Sequence, residues 1–315
     1  MFRTVVFSIC VLAPSLALGQ EQAKPRRAKL PRWKDSQTAI FFKDAFREGL
    51  VGERPITLGR AASSAPAAKS QNGPSSVTDN GDSASWSRVV SSRTLEDEIK
   101  KLQIAVQQSV TTPGRFSGGG YRDVRRQFTE LATLFAVIGS YDGTVRWKKE
   151  APLARDLFAR AASNAKVTSI QAFNEAKLRK LDLEELVRGG TLNATRPIEG
   201  KNDWEQICDR GPLMQRIGMG FDDGLTVWTA NSSEFKSNLE KIQREAELMQ
   251  LFAVIMTQEG MEDAGDEDYD AYCRQLGDAA AALVQATRDQ DAGAARKAAS
   301  DIGKSCNACH EDYRG

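Results

Sequence analysis

Residues Ala294-Ala295-Arg296-Lys297-Ala298-Ala299-Ser300-Asp301-Ile302-Gly303-Lys304-Ser305-Cys306-Asn307-Ala308-Cys309-His310-Glu311-Asp312-Tyr313-Arg314 decide how this chain is read. Ala295, Ala299, Ile302, Cys306, Cys309 and Tyr313 recur at the three-four spacing of one helix face, so the segment is predicted to be helical. Within it lies a C-x-x-C-H run that contains the only histidine of the 315 residues. Two thiols three residues apart, with an imidazole beside them, match the needs of a covalently attached c-type haem: the thiols add across two vinyl groups and the imidazole takes the iron. A zinc site would need a second ligand pair at metal spacing. A redox C-x-x-C would follow a strand at a helix N-terminus.

Working back from that helix, three further apolar stripes appear. Met214, Ile217, Phe221, Leu225 and Trp228 form one. Phe235, Leu239, Ile242, Ala246, Met249, Ala253 and Met256 form the second, and Tyr269, Tyr272, Leu276, Ala279 and Leu283 the third. Breaks at Asn231-Ser232, Glu259 to Gly265 and Asp289 to Gly293 separate them, which is the pattern of a four-helix bundle over residues 200–315. With the cysteines on the buried stripe of its fourth helix, the cofactor is expected inside this bundle.

Residues 89–190 repeat the scheme: Leu95, Ile99, Leu102 and Val106; Val124, Phe128, Leu131, Phe135 and Ile138; Leu153, Leu157 and Ala161; then Ile170, Phe173 and Leu181. The second helix of each unit carries the same five letters, Leu134-Phe135-Ala136-Val137-Ile138 and Leu251-Phe252-Ala253-Val254-Ile255, which suggests an internal duplication. The position matching the haem motif falls near Leu183 to Arg188, which has neither Cys nor His, so the first bundle is expected to be haemless. Strand alternation is missing throughout. The fold class is therefore all-α, and the bundle from Asp203 to Gly315 is expected to fold and take up haem alone.

The N-terminal region reads differently. Met1 to Gly19 has Arg3, an apolar core from Val5 to Leu12 and a small-residue site at Ala17-Leu18-Gly19, the pattern of a secretory signal cleaved after about Gly19. Export to the periplasm follows as an expectation, and no later segment approaches the length needed to span a membrane. Residues 20–58 combine a basic run, Lys24 to Lys34, with a helix at Thr38 to Leu50 carrying Phe42, Phe46 and Leu50. That helix should dock on something, a membrane surface being the alternative. Residues 59–88, rich in Gly, Ser, Ala and Pro, form a linker.

Lys and Arg number 43 against 42 Asp and Glu, and removing Arg3 with the signal leaves the mature chain balanced. Nucleic-acid binding has no electrostatic footprint here. An acidic stretch, Glu259 to Asp270, is a solvated loop or a docking surface for a basic redox partner. Cys10 leaves with the signal. Cys208 and Cys273 remain as either a disulfide or two buried thiols, and neither has a histidine with which to act as a thiol nucleophile.

From Asp203 to Gly315 the chain resembles cytochrome c', the class II c-type cytochromes, most closely through the C-x-x-C-H-x-x-Tyr-Arg end of the fourth helix. The resemblance implies one covalent haem c held by Cys306 and Cys309, with His310 as proximal ligand and helix one covering the opposite face. It also implies an arginine early in helix one, followed four residues later by the side chain that faces the iron. That side chain is apolar in gas-binding members and a methionine ligand in electron-transfer members. Arg210 and Met214 match those positions, with Arg210 expected to meet a haem propionate; Met219 offers a second thioether, and Pro212 could kink the helix. Electron transfer with a redox partner protein is the expectation. Binding of nitric oxide or carbon monoxide is the first alternative, and an assembly protein with structural haem the second. No substrate chemistry is expected, because a peroxidase-like distal histidine cannot exist when the single His is proximal. Family members often dimerise through their early helices; here a homodimer, or pairing between the two bundles, would use that surface.

Overall fold

The computed structural model describes residues 85–192 and 201–313, which belong to one compact unit, Thr78–Gly315. The expected signal, the expected helix at 38–50, the greater part of the expected linker and Arg314 lie outside the described residues. The architecture is all-α, with no strand among the described residues. Eight principal helices carry it: α1 Ser92–Ser109, α2 Tyr121–Gly139, α3 Ala151–Asn164 and α4 Ile170–Arg188, then α5 Arg210–Met219, α6 Leu239–Met256, α7 Glu267–Arg288 and α8 Ala292–Tyr313. None of the described helices is long and apolar enough to cross a membrane.

The helices begin and end where local chemistry dictates. Ser91 Oγ accepts from the Thr94 amide at the start of α1, Ser169 Oγ from Ala172 at α4, and Asp266 from Asp268 and Tyr269 at α7. Each contact satisfies a helix N–H that lacks an intrahelical partner. Gly189 closes α4 with φ 97°, a left-handed conformation that glycine adopts without a Cβ penalty. Within each half, sequence neighbours pack: α2 on α3, α3 and α1 on α4, α6 on α7 and α7 on α8. In the first half, Phe128, Phe135, Phe158 and Trp147 fill the interior with aromatic contacts at centroid separations of 5.6–6.4 Å.

The suggested duplication has a structural counterpart. A one-turn helix opens each half, Trp86–Val89 and Trp204–Ile207. Each is followed by an extended residue with nearly the same backbone, Val90 at φ −143°, ψ 139° and Cys208 at φ −144°, ψ 137°. The two tryptophans meet edge to face at 6.4 Å. Around them the packing is reciprocal. The Trp86 turn and α1 lie on α6, whereas the Trp204 turn and α5 lie on α2. The residue capping the first helix in each half reaches the other half's second helix: Ser91 Oγ donates to Glu247 at 2.6 Å, and Asp209 accepts from Arg125 at 2.8 Å.

Between the halves lies a buried charge cluster. The Arg216 guanidinium of α5 donates to Glu130 of α2 at 2.7 Å, to Glu98 of α1 at 3.2 Å and to Glu245 of α6. Lys101 also meets Glu98, at 2.9 Å. Burial alone would raise the Glu98 carboxyl, but Arg216, Lys101 and Arg244 outweigh it and hold it below the usual range. Glu130 is fully enclosed, so desolvation, with the neighbouring Glu98 charge, pushes it up to about 7 despite Arg216 and Lys101. A carboxyl whose folded pKa is raised binds more protons folded than unfolded, so its contribution to stability falls as pH rises from about 4.5 to about 7. In denaturant titrations across that window, Glu130→Gln is expected to remove this downward slope relative to the unmodified chain; an unchanged slope would place the titration elsewhere.

The shared interior bears on the fragment Asp203–Gly315. Expressed alone it keeps Glu245 for Arg216 but loses Glu98 and Glu130, and it uncovers Trp204 where that ring meets Trp86. Its melting temperature is expected to fall below that of the full chain in a calorimetric comparison. An equal melting temperature would show two independent bundles.

Candidate cofactor site

α8 presents Cys306 and Cys309 half-buried, and His310 exposed in its last turn. α8 is held against α7 at this level by Ser305, whose hydroxyl donates to the Tyr272 carbonyl at 3.1 Å. Facing the cysteines is a cavity of about 300 Å³, lined from α8 by Gly303, Cys306, Cys309 and His310, from α7 by Tyr272, Cys273 and Leu276, from α6 by Met256, and from helix one by Met214, Ile217, Gly218 and Phe221. Its volume is at the lower end of the roughly 300–1,000 Å³ of ligand sites. Besides the thiols and the imidazole, the polar lining groups are Asp222, Tyr272, Ser305 and Asn307; the rest of the wall is apolar or glycine.

The geometry brings Met214 into this cavity with Cys306, Cys309 and His310. Met219 does not line it and is 45% exposed. Pro212 does not break the helix. It lies in the first turn of α5, where the N–H it lacks has no partner to lose. Beyond Met219 the helix widens into a π-turn, Gly220–Leu225, which carries Phe221 against Gly303; a Cβ added there would lie 3.1 Å from the ring. Arg210 does not line the cavity. Its guanidinium pairs with Glu262 at 2.9 Å and with Asp263, and it stands 5.7 Å from the Tyr269 ring. The acidic loop thus folds back on helix one, and Arg210 would have to leave these carboxylates to reach a propionate.

The two cysteines outside the motif are separate thiols. Cys208 is buried against Met261, and Cys273 lines the cavity beside Tyr269 and Cys309, so the disulfide left open by the sequence is not formed. Burial raises Cys273 and Cys208 to about 12. Burial, reinforced by Cys309 and Asp222, also raises Cys306 to about 11, and burial raises Cys309. A redox dithiol needs a depressed thiol pKa, so this pair has the wrong electrostatics for that chemistry. Two neutral thiols and an imidazole on one cavity wall, with apolar side chains opposite, are a donor set that fits a haem. Tyr269, buried beside Arg210 and Cys273, has its hydroxyl pushed well above the usual phenol range by desolvation.

The C-terminal region matches the cytochrome C' family over residues 230–314. No curated protein and no solved structure matches the chain. The match suggests a haem-binding protein of the electron-transfer or gas-binding kind. It contains α6, α7 and α8 and starts after α5, so it does not reach Met214 or Arg210.

Several contributors were not singled out in the sequence. Tyr272, part of an apolar stripe in the sequence, also donates its hydroxyl to Asp312 at 2.8 Å. Tyr313 likewise donates to Asp266 at 2.5 Å, closing the start of α7 onto the end of α8. Glu98, Glu130, Arg216 and Glu245 stand within or beside the apolar stripes, and apolar periodicity alone does not single them out. The visible signal was a charge set inside an apolar run, as with Glu130 between Phe128 and Leu131.

Proposed function

We propose that this chain is an exported, periplasmic mono-haem c-type cytochrome that carries single electrons to or from a redox partner protein. The observation that supports it most is the convergence of Met214 with Cys306, Cys309 and His310 on one cavity. Cys306 and Cys309 would bond the cofactor covalently, and His310 and Met214 would hold its iron. Bound there, haem would supply a one-electron carrier, and a thioether together with an imidazole as its ligands would raise its potential. The protein's part is to keep both ligands in place and to wall off water with Ile217, Phe221, Met256 and Leu276. The one histidine of the chain would be taken up by the iron, so a peroxidase-like distal imidazole has no candidate and the reading includes no substrate conversion. The acidic segment Glu259 to Asp270, next to the site through Asp263 and Asp266, suits a partner with a basic face.

The test is an absorption spectrum of oxidised and reduced protein made with haem-attachment machinery, before and after carbon monoxide. A low-spin spectrum insensitive to the gas is expected. Immediate gas uptake would replace this reading with the gas-binding one. Mass spectrometry of denatured protein should show one covalent haem per chain, and none after Cys306 and Cys309 are both changed to alanine. Two haems would sink the reading of the first half as haemless.

A further inference from the structure

We infer that the first half positions the wall of the cofactor cavity: Glu98 and Glu130, acting through Arg216, fix the rotation of α5 so that Met214, Ile217 and Phe221 face α8. α5 is a poor helix by itself. It holds Gly211, Pro212 and Gly218 within ten residues and passes at once into the π-turn with Gly220 and Gly224. Glycine and proline are the weakest helix formers, so tertiary contacts must set the orientation of this segment.

Arg216 is two residues beyond Met214, about 200° around the helix axis, and so projects from the side opposite the cavity. There it is 7% exposed and meets carboxylates from three other helices, two of them in the first half. Glu245 approaches closely because residue 220 is glycine; a Cβ at that position would fall 1.9 Å from its Oε1. A planar guanidinium with donors in a fixed fork, held by carboxylates on different helices, resists rotation of its helix in a way an apolar contact does not. The haemless half would then have a definite task, which is to supply two of the three carboxylates that aim the methionine.

This inference rests on the haem reading of the cavity, and the experiment separates the two. The full chain, produced with haem-attachment machinery, is compared with Glu98→Gln, Glu130→Gln and the double variant. Mass reports haem attachment. Hydrogen exchange reports peptides spanning 210–219 whether or not haem is attached, and carbon monoxide association reports the loaded site. Neither glutamate touches the cavity, so a purely structural role would leave gas binding unchanged. The double variant is expected to raise exchange in 210–219 while 267–313 stays protected, and to admit carbon monoxide faster than the unmodified chain. Unchanged protection of 210–219, or loss spread equally over 239–313, overturns the inference. Should the double variant fail to fold, Glu98→Gln alone, which leaves Glu130 and Glu245 on Arg216, must still raise exchange in 210–219; no rise overturns it. Absence of covalent haem in the unmodified chain defeats the haem reading and leaves the exchange result standing.

Discussion

Met214→Leu is expected to turn a gas-insensitive, low-spin protein into one that binds carbon monoxide readily, with a lower reduction potential. Leucine keeps the apolarity and approximate volume of methionine in the wall shared with Ile217 and Phe221 but offers no lone pair. Volume-conserving swaps of this kind cost under about 1.5 kcal/mol, so the fold should survive. The fall in potential should lie within the ~0.8 V that axial ligands span. Met219→Leu, made at an exposed position away from the cavity, should change neither property. If the unmodified protein already takes up the gas, the methionine is packing and the electron-transfer reading fails at its central residue.

Arg216→Ala is expected to have the largest effect on stability. It leaves Glu98, Glu130 and Glu245 facing one another in the interior, with only Lys101 and Arg244 near the first of them. Removing one partner from a buried ionic set costs on the order of 3–5 kcal/mol, because the remaining charges are desolvated without compensation. At roughly 2–4 °C per kcal/mol for a unit of this size, thermal unfolding should move down by about 10 °C. Replacing the cation and the three carboxylates together by apolar residues should recover much of the loss, since no charge is then left buried. A drop of only a degree or two for Arg216→Ala would mean that water reaches the cluster.

The all-α fold was legible in the sequence because each helix carries an apolar stripe of the right period and a polar break at its end. The motif was legible because Cys306, Cys309 and His310 are adjacent in the chain. Cys273 joins the same cavity from α7, and nothing in its own neighbourhood announces that. The destination of Arg210 was not legible either: its pairing with Glu262 and Asp263 depends on how the loop before α7 folds back, a long-range outcome that helical periodicity does not encode. The same holds for Arg216, whose three partners come from positions 98, 130 and 245.

The reciprocal packing around Trp86 and Trp204 resembles a homodimer whose two subunits have been joined into one chain. Joining them replaces a bimolecular association by an intramolecular one, for which short tethers set effective concentrations in the millimolar range. Dilution therefore cannot part the halves, and each is freed from having to match an identical copy of itself. One copy could lose its cysteines and fill its interior with Phe128, Phe135 and Phe158 while the other kept a cavity, an asymmetry that a true dimer of identical chains has no way to adopt.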